Sequence, residues 1–401
     1  MTEPFRLAIV AGEASGDALA LRFLETLRRR LAPREVIVTG VGGEALVAAG
    51  LVPLFPQADI AVMGFAPVVA RLRLLLRRME DAARGIATFA PDLLLTIDAP
   101  DFSLRVAKKV RARTPDIPIA HWVCPSVWAW RSGRARRMKP HIDRILALLP
   151  FEPAALERLQ GPPTVYVGHP LIERLAELRP GPAEAAARAD AASPVVLVLP
   201  GSRRSEIRHL MPVFGEAVAR VAAKLPGARF VLPAVPHLKD EIAQAVAGWA
   251  QKPKIVLGEA AKLAAFRSAR AALAASGTVT LELALAQVPT VAAYRGAGWE
   301  AAIARRLIKL PSVILPNLIL GRSVVPEFIQ QDATAQRLAD QLEAALAEGE
   351  GRHRQLAGFA EVETIMRSAG ESPAANAVEA ALALVEARRP LAGRPHRPSP
   401  P

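Results

Sequence analysis

The sequence contains little cysteine, few aromatic residues and no long apolar run. Its 401 residues include one cysteine, Cys124, which excludes a disulfide framework and a cysteine-based zinc site and fits a reducing cytosol. No apolar stretch reaches the roughly 18 residues that suggest a membrane span, and the early charges of Glu3 and Arg6 lead us to expect no signal peptide. Aromatic residues make up 5% of the chain, and neither a stacking platform nor a recognition motif for nucleic acid is visible. We therefore expect a cytoplasmic globular protein that does not bind nucleic acid.

Positive charge is present in excess, with a formal net charge of +13. An arginine-rich genome explains a general excess, but the clustering of the basic residues favours an anionic partner. The densest cluster lies in a very apolar segment with helical spacing, residues 68–79. Such a segment is typical of a helix resting on an anionic membrane surface, and equally of a core helix with arginines at its rim. The candidate membrane or acyl-chain surface comprises Val68, Val69, Arg71, Leu72, Arg73, Leu75, Leu76, Arg77 and Arg78.

Short apolar runs alternate with helical patterns in two series along the chain. Runs that are apolar on both faces indicate parallel sheets covered by helices on both sides. The predicted fold class is therefore α/β, with two doubly wound Rossmann-like domains whose strand carboxyl ends face a cleft. The predicted domains are residues 1–172 and 173–345, followed by C-terminal helices at 346–387 and a disordered tail at 388–401.

The first strand-to-helix turn, AGEASGD, places glycines where a backbone can turn sharply and approach a ligand. Gly12, Glu13, Ser15 and Gly16 are its candidate ligand-binding residues, because a turn alone does not need a carboxylate beside the glycines. Ser15 or Asp17 is expected to cap the helix that follows. The turn lacks the GxGxxG spacing of a dinucleotide site, so no NAD cofactor is implied.

Two carboxylates follow another buried strand, in the segment TIDAPDFS. Strand ends of this kind place side chains in the cleft. Asp98 is our candidate for a general base toward an acceptor hydroxyl. Asp101 is the better candidate for capping the helix that begins near Phe102, a role that both carboxylates can fill.

The most informative stretch is SPVVLVLPGSRRSE, in which an apolar run at 195–199 ends in a Gly-Ser turn with two arginines. A buried strand that enters a helix through such a turn leaves free backbone N–H groups at the positive end of the helix dipole. Arginines beside the turn can grip phosphate oxygens bidentately. Gly201, Ser202, Arg203 and Glu206 are therefore predicted to hold an anion, and a diphosphate fits best.

The segment ASGTVTLELAL repeats this arrangement of strand, glycine turn and helix. Ser276, Gly277 and Thr278 are predicted to supply N–H and hydroxyl donors. Glu282, about one helical turn further on, is predicted to accept hydrogen bonds from a ribose diol. Asn317, in LPNLILG, is a candidate for reading a nucleobase edge, although turn residues alone would explain that pattern.

Two other features allow more than one interpretation. Residues 121–131 hold three of the five tryptophans, ahead of a basic stretch. This is typical either of a loop that faces a sugar or an acyl chain or of a packed loop. His169 lies where the first domain leads into the second, and a lone histidine is usually structural.

Seven segments occur in the order typical of lipid-A-disaccharide synthases, and the chain resembles that family over roughly residues 5–385. The segments are GEASGD, IDAPDFSLR, VCPSVWAWR, GHPL, LPGSRRSEI, ASGTVTLELAL, and LPNLILGR with VPEFIQ. The resemblance implies a GT-B fold and an inverting glycosyltransferase. The implied reaction transfers 2,3-diacylglucosamine from UDP to 2,3-diacylglucosamine 1-phosphate, which forms a β-1,6 linkage and releases UDP.

The resemblance also implies roles for individual residues. Asp98 would activate the acceptor 6-hydroxyl, Arg203 and its turn would hold the diphosphate, Glu282 would bind the ribose, and Asn317 would bind the uridine side. No metal ion and no cofactor are implied, because arginine and helix N-termini would neutralise the leaving diphosphate. The implied partners are the two lipid substrates, an anionic membrane at the cytoplasmic face of a Gram-negative inner membrane, and a second copy of the chain in a homodimer with exchanged C-terminal segments.

The resemblance gives each predicted domain a role as well. Residues 1–172 would form the acceptor and membrane side, and residues 173–345 would bind the UDP-sugar. The C-terminal helices at 346–387 are expected either to pack on the N-terminal domain or to be exchanged between protomers.

The sequence departs from the family pattern at Pro67, where many relatives have a glutamate, and at His121-Trp122, where relatives often have two tyrosines or His-Tyr. These departures concern the acceptor and acyl-chain region. A UDP-sugar 2-epimerase is the main alternative: it would share the UDP site but need acid and base residues around the sugar C2. A basic nucleic-acid-binding protein is disfavoured by the lack of a recognition motif.

Overall fold

Two parallel sheets, one in each of two units, organise the part of the chain that the structure describes. This computed structural model describes residues 3–60, 71–296, 312–367 and 370–388. The first unit comprises Met1–His169 and Ser368–Pro401, and the second comprises Pro170–Arg367. The predicted α/β class with two doubly wound sheets is confirmed.

Strands and helices alternate through both units. The strands are β1 (Phe5–Ala11), β2 (Val36–Val41), β3 (Val52–Pro53), β4 (Leu93–Ile97), β5 (Ile119–Trp122), β6 (Arg144–Ala147), β7 (Thr164–Tyr166), β8 (Val195–Leu199), β9 (Arg229–Ala234), β10 (Lys254–Leu257), β11 (Ala271–Ala275), β12 (Thr290–Tyr294) and β13 (Glu327–Ile329). The helices are α1 (Ala14–Leu31), α2 (Glu44–Ala48), α3 (Leu72–Phe89), α4 (Pro100–Arg113), α5 (Gly133–Met138), α6 (Glu152–Arg158), α7 (Leu175–Leu178), α8 (Pro182–Ala189), α9 (Arg204–Lys224), α10 (Lys239–Ala247), α11 (Glu259–Ser268), α12 (Val279–Leu285), α13 (Leu315–Leu320), α14 (Ala335–Leu346), α15 (Glu350–Met366) and α16 (Pro373–Arg388).

The strand order reverses once in each sheet. The first sheet has the order β3-β2-β1-β4-β5-β6-β7, and the second has β10-β9-β8-β11-β12-β13. The reversals lie between β1 and β4 and between β8 and β11, where crossover connections leave toward opposite faces and open a crevice at the carboxyl ends. Ala11 pairs with Ile97 and Leu199 pairs with Ala274, so the turns after these strands lie side by side.

Both faces of the first sheet are buried. In β1, Leu7 and Ile9 belong to the core that includes side chains of α1 and α16, whereas Ala8 and Val10 belong to the core that includes side chains of α3 and α4. Successive side chains of a strand point to opposite faces. A strand with both faces covered must therefore be apolar throughout, which is why these strands are visible in the sequence as continuous apolar runs.

The C-terminal helices divide between the two units. Helix α16 packs against α1 of the first unit, where Arg30 pairs with Glu379 at 2.5 Å and Asn376 donates a hydrogen bond to the carbonyl of Val167 at 3.0 Å. Helix α15 instead packs against α12 and α13 of the second unit. The predicted boundaries were 172/173 and 345/346. In the structure the chain passes from the first unit to the second between residues 169 and 170, and the second unit continues to residue 367. The predicted tail lies, from residue 389 on, outside the described residues.

Three buried arginines hold helix ends together in the second unit. Arg188 donates to carbonyls at or just beyond the ends of α11 and α12. Arg270, which is 1% exposed, donates to carbonyls at the ends of α8 and α14, and Arg352 donates to a further carbonyl of α14. The last carbonyls of a helix have no intrahelical partner, so the guanidinium groups satisfy them and favourably oppose the negative helix ends. Arg188 thereby fixes α11 and α12 relative to each other.

Bilayer-spanning character is not found among the described helices: none of them is both long enough and apolar enough to cross a membrane.

Candidate functional site

The turns after β1 and β4 touch each other in the first unit. A Cβ atom at Gly12 would lie 2.6 Å from the Cβ of Ala99, a distance that real Cβ atoms essentially never show. Only glycine therefore fits at position 12. This contact brings Glu13 close to Asp98: partial burial and then the charge of Asp98 raise the pKa of Glu13. The structure thus brings together two carboxylates that the sequence assigned to separate motifs.

The turn that carries Asp98 has an unusual backbone. Asp98 and Ala99 have φ angles of 48° and 42°, in the left-handed region that side chains other than glycine rarely adopt. The turn is held by a hydrogen bond from Asp98 N to the carbonyl of Trp122 at 3.0 Å, and by the Ser103 hydroxyl, which donates to the carbonyl of Ala99 at 2.9 Å. The Asp98 side chain is half-buried, and no described residue donates a hydrogen bond to it. It is thus positioned but left available to a ligand.

The capping roles predicted for Ser15, Asp17 and Asp101 are wrong. Helix α1 begins after Glu13 without a side-chain cap, and Asp17 is instead buried, accepting a hydrogen bond from Gly43 N at 2.6 Å. Helix α4 begins after Ala99, also without a side-chain cap, and Asp101 forms an ion pair with Arg134 at 2.5 Å. Both helices begin before these residues, so Ser15, Asp17 and Asp101 lie inside the first helical turns and not at the N-cap position. Ser15 is exposed, and Gly16 lies beside Ile97.

The turn after β8 has the predicted shape but not the predicted free donors. Gly201 has a φ of 108°, which favours glycine. Glu206 reaches back from the first turn of α9 and accepts hydrogen bonds from Ser202 N at 2.9 Å, Arg203 N at 3.2 Å and the Arg203 guanidinium at 3.0 Å. The backbone N–H groups of Ser202 and Arg203 are therefore occupied by a carboxylate, as in a capping box. The Arg203 side chain remains 80% exposed.

The turn after β11 supplies fewer donors than predicted. The Ser276 hydroxyl donates to the carbonyl of Val313 at 3.1 Å, and its N–H donates to the carbonyl of Ala293 at 2.9 Å, so neither is available. Glu282 is 17% exposed and forms an ion pair with Lys262 at 2.6 Å. No other hydrogen bond reaches its carboxylate from the described residues.

Both turns of the second unit line one pocket of about 440 Å³, a volume typical of small-molecule sites. The lining includes the four residues predicted for each turn: Gly201, Ser202, Arg203 and Glu206, and Ser276, Gly277, Thr278 and Glu282. It also includes Glu259 and Lys262 of α11, which the sequence did not indicate. Lys262 lies one turn into α11, which follows the positive-φ Gly258 turn after β10. This strand, glycine and helix arrangement was not among those that we predicted to form a site, and within the helix Lys262 stands among alanines like a surface lysine.

Asn317 is not available to read a nucleobase. It is 2% exposed, its amide oxygen accepts hydrogen bonds from Val324 N and Val325 N, and its amide nitrogen donates to the carbonyl of Val325. All three hydrogen bonds are 2.8–2.9 Å long, the usual length for strong N–H···O hydrogen bonds. The side chain therefore closes the loop between α13 and β13, and we remove it from the candidate site.

The tryptophan-rich loop is packed at one end and exposed at the other. Trp122 is fully buried, whereas Trp130 is 44% exposed and lies under the guanidinium of Arg131, 4.3 Å from its ring centroid. Between them, the Trp128 indole donates to the buried Glu152 at 3.1 Å, and Leu149 N donates to the same carboxylate at 2.9 Å. Burial raises the pKa of Glu152 to about 7, against the opposing effect of these hydrogen bonds.

Two histidines of the first unit, the buried His121 and the half-buried His169, stay neutral near pH 7. Burial lowers the pKa of His121 and that of His169 to about 4 in each case. His121 lies 2.8 Å from the Thr96 hydroxyl through Nδ1. The low pKa values favour the structural interpretation of His169. In the described ranges, no three or more His, Cys, Asp or Glu side chains are grouped so that they could hold a metal ion.

The predicted basic, apolar segment is in part a core helix. In α3, Leu75 and Met79 are buried, whereas Leu72 and Leu76 are 48% and 46% exposed. Arg78 pairs with Asp59 at 2.6 Å and with Asp81. The prediction that Leu75 and Arg78 belong to the membrane surface is therefore wrong. Leu75 packs in the core and Arg78 is held in ion pairs, because the inward face of α3 covers the sheet. The exposed set is Arg71, Leu72, Arg73, Leu76 and Arg77; Val68, Val69 and Pro67 lie outside the described residues.

Comparison with known proteins identifies similar sequences and similar folds. A family model described as lipid-A-disaccharide synthetase matches residues 7–381. The lipid-A-disaccharide synthase of Rhodopseudomonas palustris strain HaA2 is 50% identical over 377 residues, which cover 94% of this chain and 95% of that protein. The crystal structure of the UDP-GlcNAc 2-epimerase from Neisseria meningitidis bound to UDP-GlcNAc has a TM-score of 0.56 at 12% identity, covering 96% of this chain and all of that one. The calicheamicin glycosyltransferase CalG4 has a TM-score of 0.55 at 16% identity, covering 97% and 100%. The two structural likenesses concern the fold alone.

Ionisation of the buried Glu152 is expected to destabilise the folded protein as the pH rises. We expect Glu152→Gln, which cannot ionise, to be free of this destabilisation. The carboxyl has a pKa of about 7 in the folded protein and about 4.3 in an unfolded chain. The folded state binds more protons between these values, so the free energy of unfolding falls as the pH rises through this window and stays lowered above it. Urea unfolding of both proteins at pH 5 and pH 8 should show the variant gaining on the order of 3 kcal/mol relative to wild type at pH 8.

The matched control is Glu157→Gln, which makes the same chemical change at an exposed glutamate on the same helix. The histidines are the same in all three proteins, so their contribution to the pH dependence of stability cancels in the difference. Parallel stability curves for wild type and Glu152→Gln would contradict the prediction.

Proposed function

Because the chain belongs to the lipid-A-disaccharide synthase family, a family of glycosyltransferases of lipid A biosynthesis, we propose the following reaction for it. It transfers 2,3-diacylglucosamine from UDP to the 6-hydroxyl of 2,3-diacylglucosamine 1-phosphate, with inversion, and releases UDP. The observation that carries the proposal is that each unit has polar residues of the family motifs at its strand-order reversal. A UDP-sugar 2-epimerase is not favoured, because the epimerase likeness extends to the fold only.

In this proposal the first unit supplies the base and the second holds the donor. The Asp98 carboxylate accepts the proton of the acceptor hydroxyl, the oxygen attacks the anomeric carbon, and the bond from that carbon to the diphosphate breaks. Glu13 and Ser15 line the acceptor side next to Asp98. Arg203 and the Gly201–Ser202 turn hold the departing diphosphate, and the reaction needs no metal ion or other cofactor. Glu282 accepts hydrogen bonds from the ribose.

The transfer assay that tests this function combines the purified protein with UDP-diacylglucosamine and diacylglucosamine 1-phosphate. Mass spectrometry should identify the tetraacyl disaccharide 1-phosphate, and UDP should appear in equal amount and only when the acceptor is present. Acceptor-independent conversion of the UDP-sugar, without UDP release, would indicate an epimerase instead.

We expect Asp98→Asn to lower the transfer rate by about 10³-fold, within the range for loss of a general base, while UDP binding changes little. The reason is that an amide cannot accept the hydroxyl proton, although it preserves the shape of the turn. Asp101→Asn is the matched control, because Asp101 is a neighbouring exposed carboxylate engaged by Arg134. Transfer by Asp98→Asn at the wild-type rate would exclude Asp98 as the base.

We further propose that the exposed residues at the start of α3, with Arg71 just before the helix, dock the protein to the anionic cytoplasmic face of the inner membrane of a Gram-negative bacterium. Arg71, Leu72, Arg73, Leu76 and Arg77 support this, since their side chains combine exposed apolar area with positive charge. Both proposed substrates are lipids, so the reaction must take place where acyl chains can be reached.

Replacing Arg71, Arg73 and Arg77 together by Gln should weaken binding to vesicles that contain phosphatidylglycerol. With roughly 1 kcal/mol for each basic residue near the surface, the loss is about a hundredfold. Co-sedimentation at several vesicle concentrations measures it, and replacing Arg29, Arg105 and Lys108 by Gln removes the same charge from exposed positions elsewhere in the unit. Equal sedimentation of the two triple variants would reject the docking surface.

A homodimer is also part of the proposal, and light scattering should then give twice the chain mass of 42.8 kDa.

A further inference from the structure

Lys262 points its ammonium group into the nucleotide pocket of the second unit. Its Nζ lies 2.6 Å from Glu282 Oε2, 3.8 Å from Glu259 Oε2 and 5.4 Å from the ring centroid of Phe266. The side chain is 25% exposed, so it is neither buried in the core nor freely solvated. Arg188 also joins the ends of α11 and α12, the helices that carry Lys262 and Glu282, so the two groups are held at a fixed separation.

The charges that line this pocket do not suit a diphosphate unless Lys262 takes part. The lining carries two cations, Arg203 and Lys262, against three carboxylates, Glu206, Glu259 and Glu282. Glu206 is already bound by Arg203 and by backbone N–H groups. Glu259 is bound at 2.8 Å by Arg174, which lies outside the lining. Without Lys262, Glu282 would lose its one described ion-pair partner and stand uncompensated beside the ligand. A carboxylate repels a nearby anion, so binding of a diphosphate in this pocket requires the positive charge of Lys262.

The hydrogen-bonding capacity of the pair leaves room for a ligand on both members. An ammonium group has three donors. One is used at 2.6 Å by Glu282, and the 3.8 Å separation from Glu259 is too long for a hydrogen bond. On Glu282, Oε2 is engaged by Lys262, and no described residue donates to Oε1.

We propose that Lys262 is a binding residue for the nucleoside diphosphate part of the donor. One N–H holds Glu282 so that Oε1 faces the ribose hydroxyls, and the others donate to the diphosphate. This inference rests on the proposed function, because it requires a UDP-linked ligand in the pocket. It adds a second cation to a site for which the sequence indicated Arg203 and its neighbours.

Calorimetric titration with UDP and with uridine tests this role. Lys262→Met should weaken UDP binding at least tenfold and uridine binding less, because uridine has no phosphate for the ammonium to contact. Lys262→Arg should recover most of the UDP affinity. The dependence of UDP affinity on salt should also decrease in Lys262→Met, since one charge contact is lost. Lys254→Met is the matched control, because Lys254 is an exposed lysine of the same unit outside the pocket lining.

The outcomes separate this inference from the proposed function. If the wild-type protein does not bind UDP, the proposed function fails; if it does and Lys262→Met binds UDP as Lys254→Met does, the role of Lys262 is overturned. Equal losses for UDP and uridine would also overturn it, because they would restrict Lys262 to an effect on Glu282. Thermal unfolding of each variant checks folding. Should Lys262→Met unfold more easily than wild type, Lys262→Gln, which keeps a polar side chain of similar length, replaces it in the same comparison.

Discussion

The constraint on which this protein depends is that a parallel sheet buried on both faces can expose polar groups only at its ends. In β1, alternate residues belong to different cores, and the backbone polar groups of the strand are used by its neighbours. Polar side chains that must meet a ligand are then confined to the turns after the strands, and a crevice opens where the strand order reverses. Asp98, the Gly201–Glu206 turn and the Ser276–Glu282 turn all follow strands that flank such a reversal.

The charged groups that line the pocket of the second unit are paired with one another. Glu206 occupies two backbone donors and part of Arg203, and Lys262 is paired with Glu282. An unpaired charge in a partly buried site is costly, so internal pairing keeps the turns ordered. A diphosphate must then compete with Glu206 or add to the groups that remain, which are the outer face of the Arg203 guanidinium and the spare donors of Lys262. Affinity in such a pocket depends on how the carboxylates are shared, and not on the arginine alone.

Local sequence patterns predicted the strands and helices. They did not predict the side-chain contacts that depend on how separate parts of the chain pack together. The run at 195–199 coincides with β8, because a strand with two buried faces and a Gly-Ser stop is recognisable from its own residues. Asp17 was assigned to a cap, but Gly43, 26 residues away, provides its partner. Asn317 bonds to Val324 and Val325, which follow the helix that carries it. Lys262 becomes part of the site because α11, which packs on β8, β9 and β10, brings its ammonium group to Glu282 of α12. Leu75 and Leu76 show the same limit on one helix, since only the packing of α3 decides which faces the core.

The backbone at Asp98 offers an argument about function that the family resemblance does not supply. Left-handed geometry costs non-glycine residues roughly 1–2 kcal/mol each, and two successive residues adopt it here. Glycine would relieve the strain at position 98 but would remove the carboxylate. The strain at Ala99 has a counterpart in Gly12, whose missing side chain makes room for the Ala99 methyl. The costly conformation is retained at a residue to whose carboxylate no described residue donates a hydrogen bond, and a glycine on the neighbouring turn accommodates it. Both observations support the role proposed for Asp98. Because proteins with the same fold at 12–16% identity differ in activity, such local features, and not the sheets, must carry the chemistry.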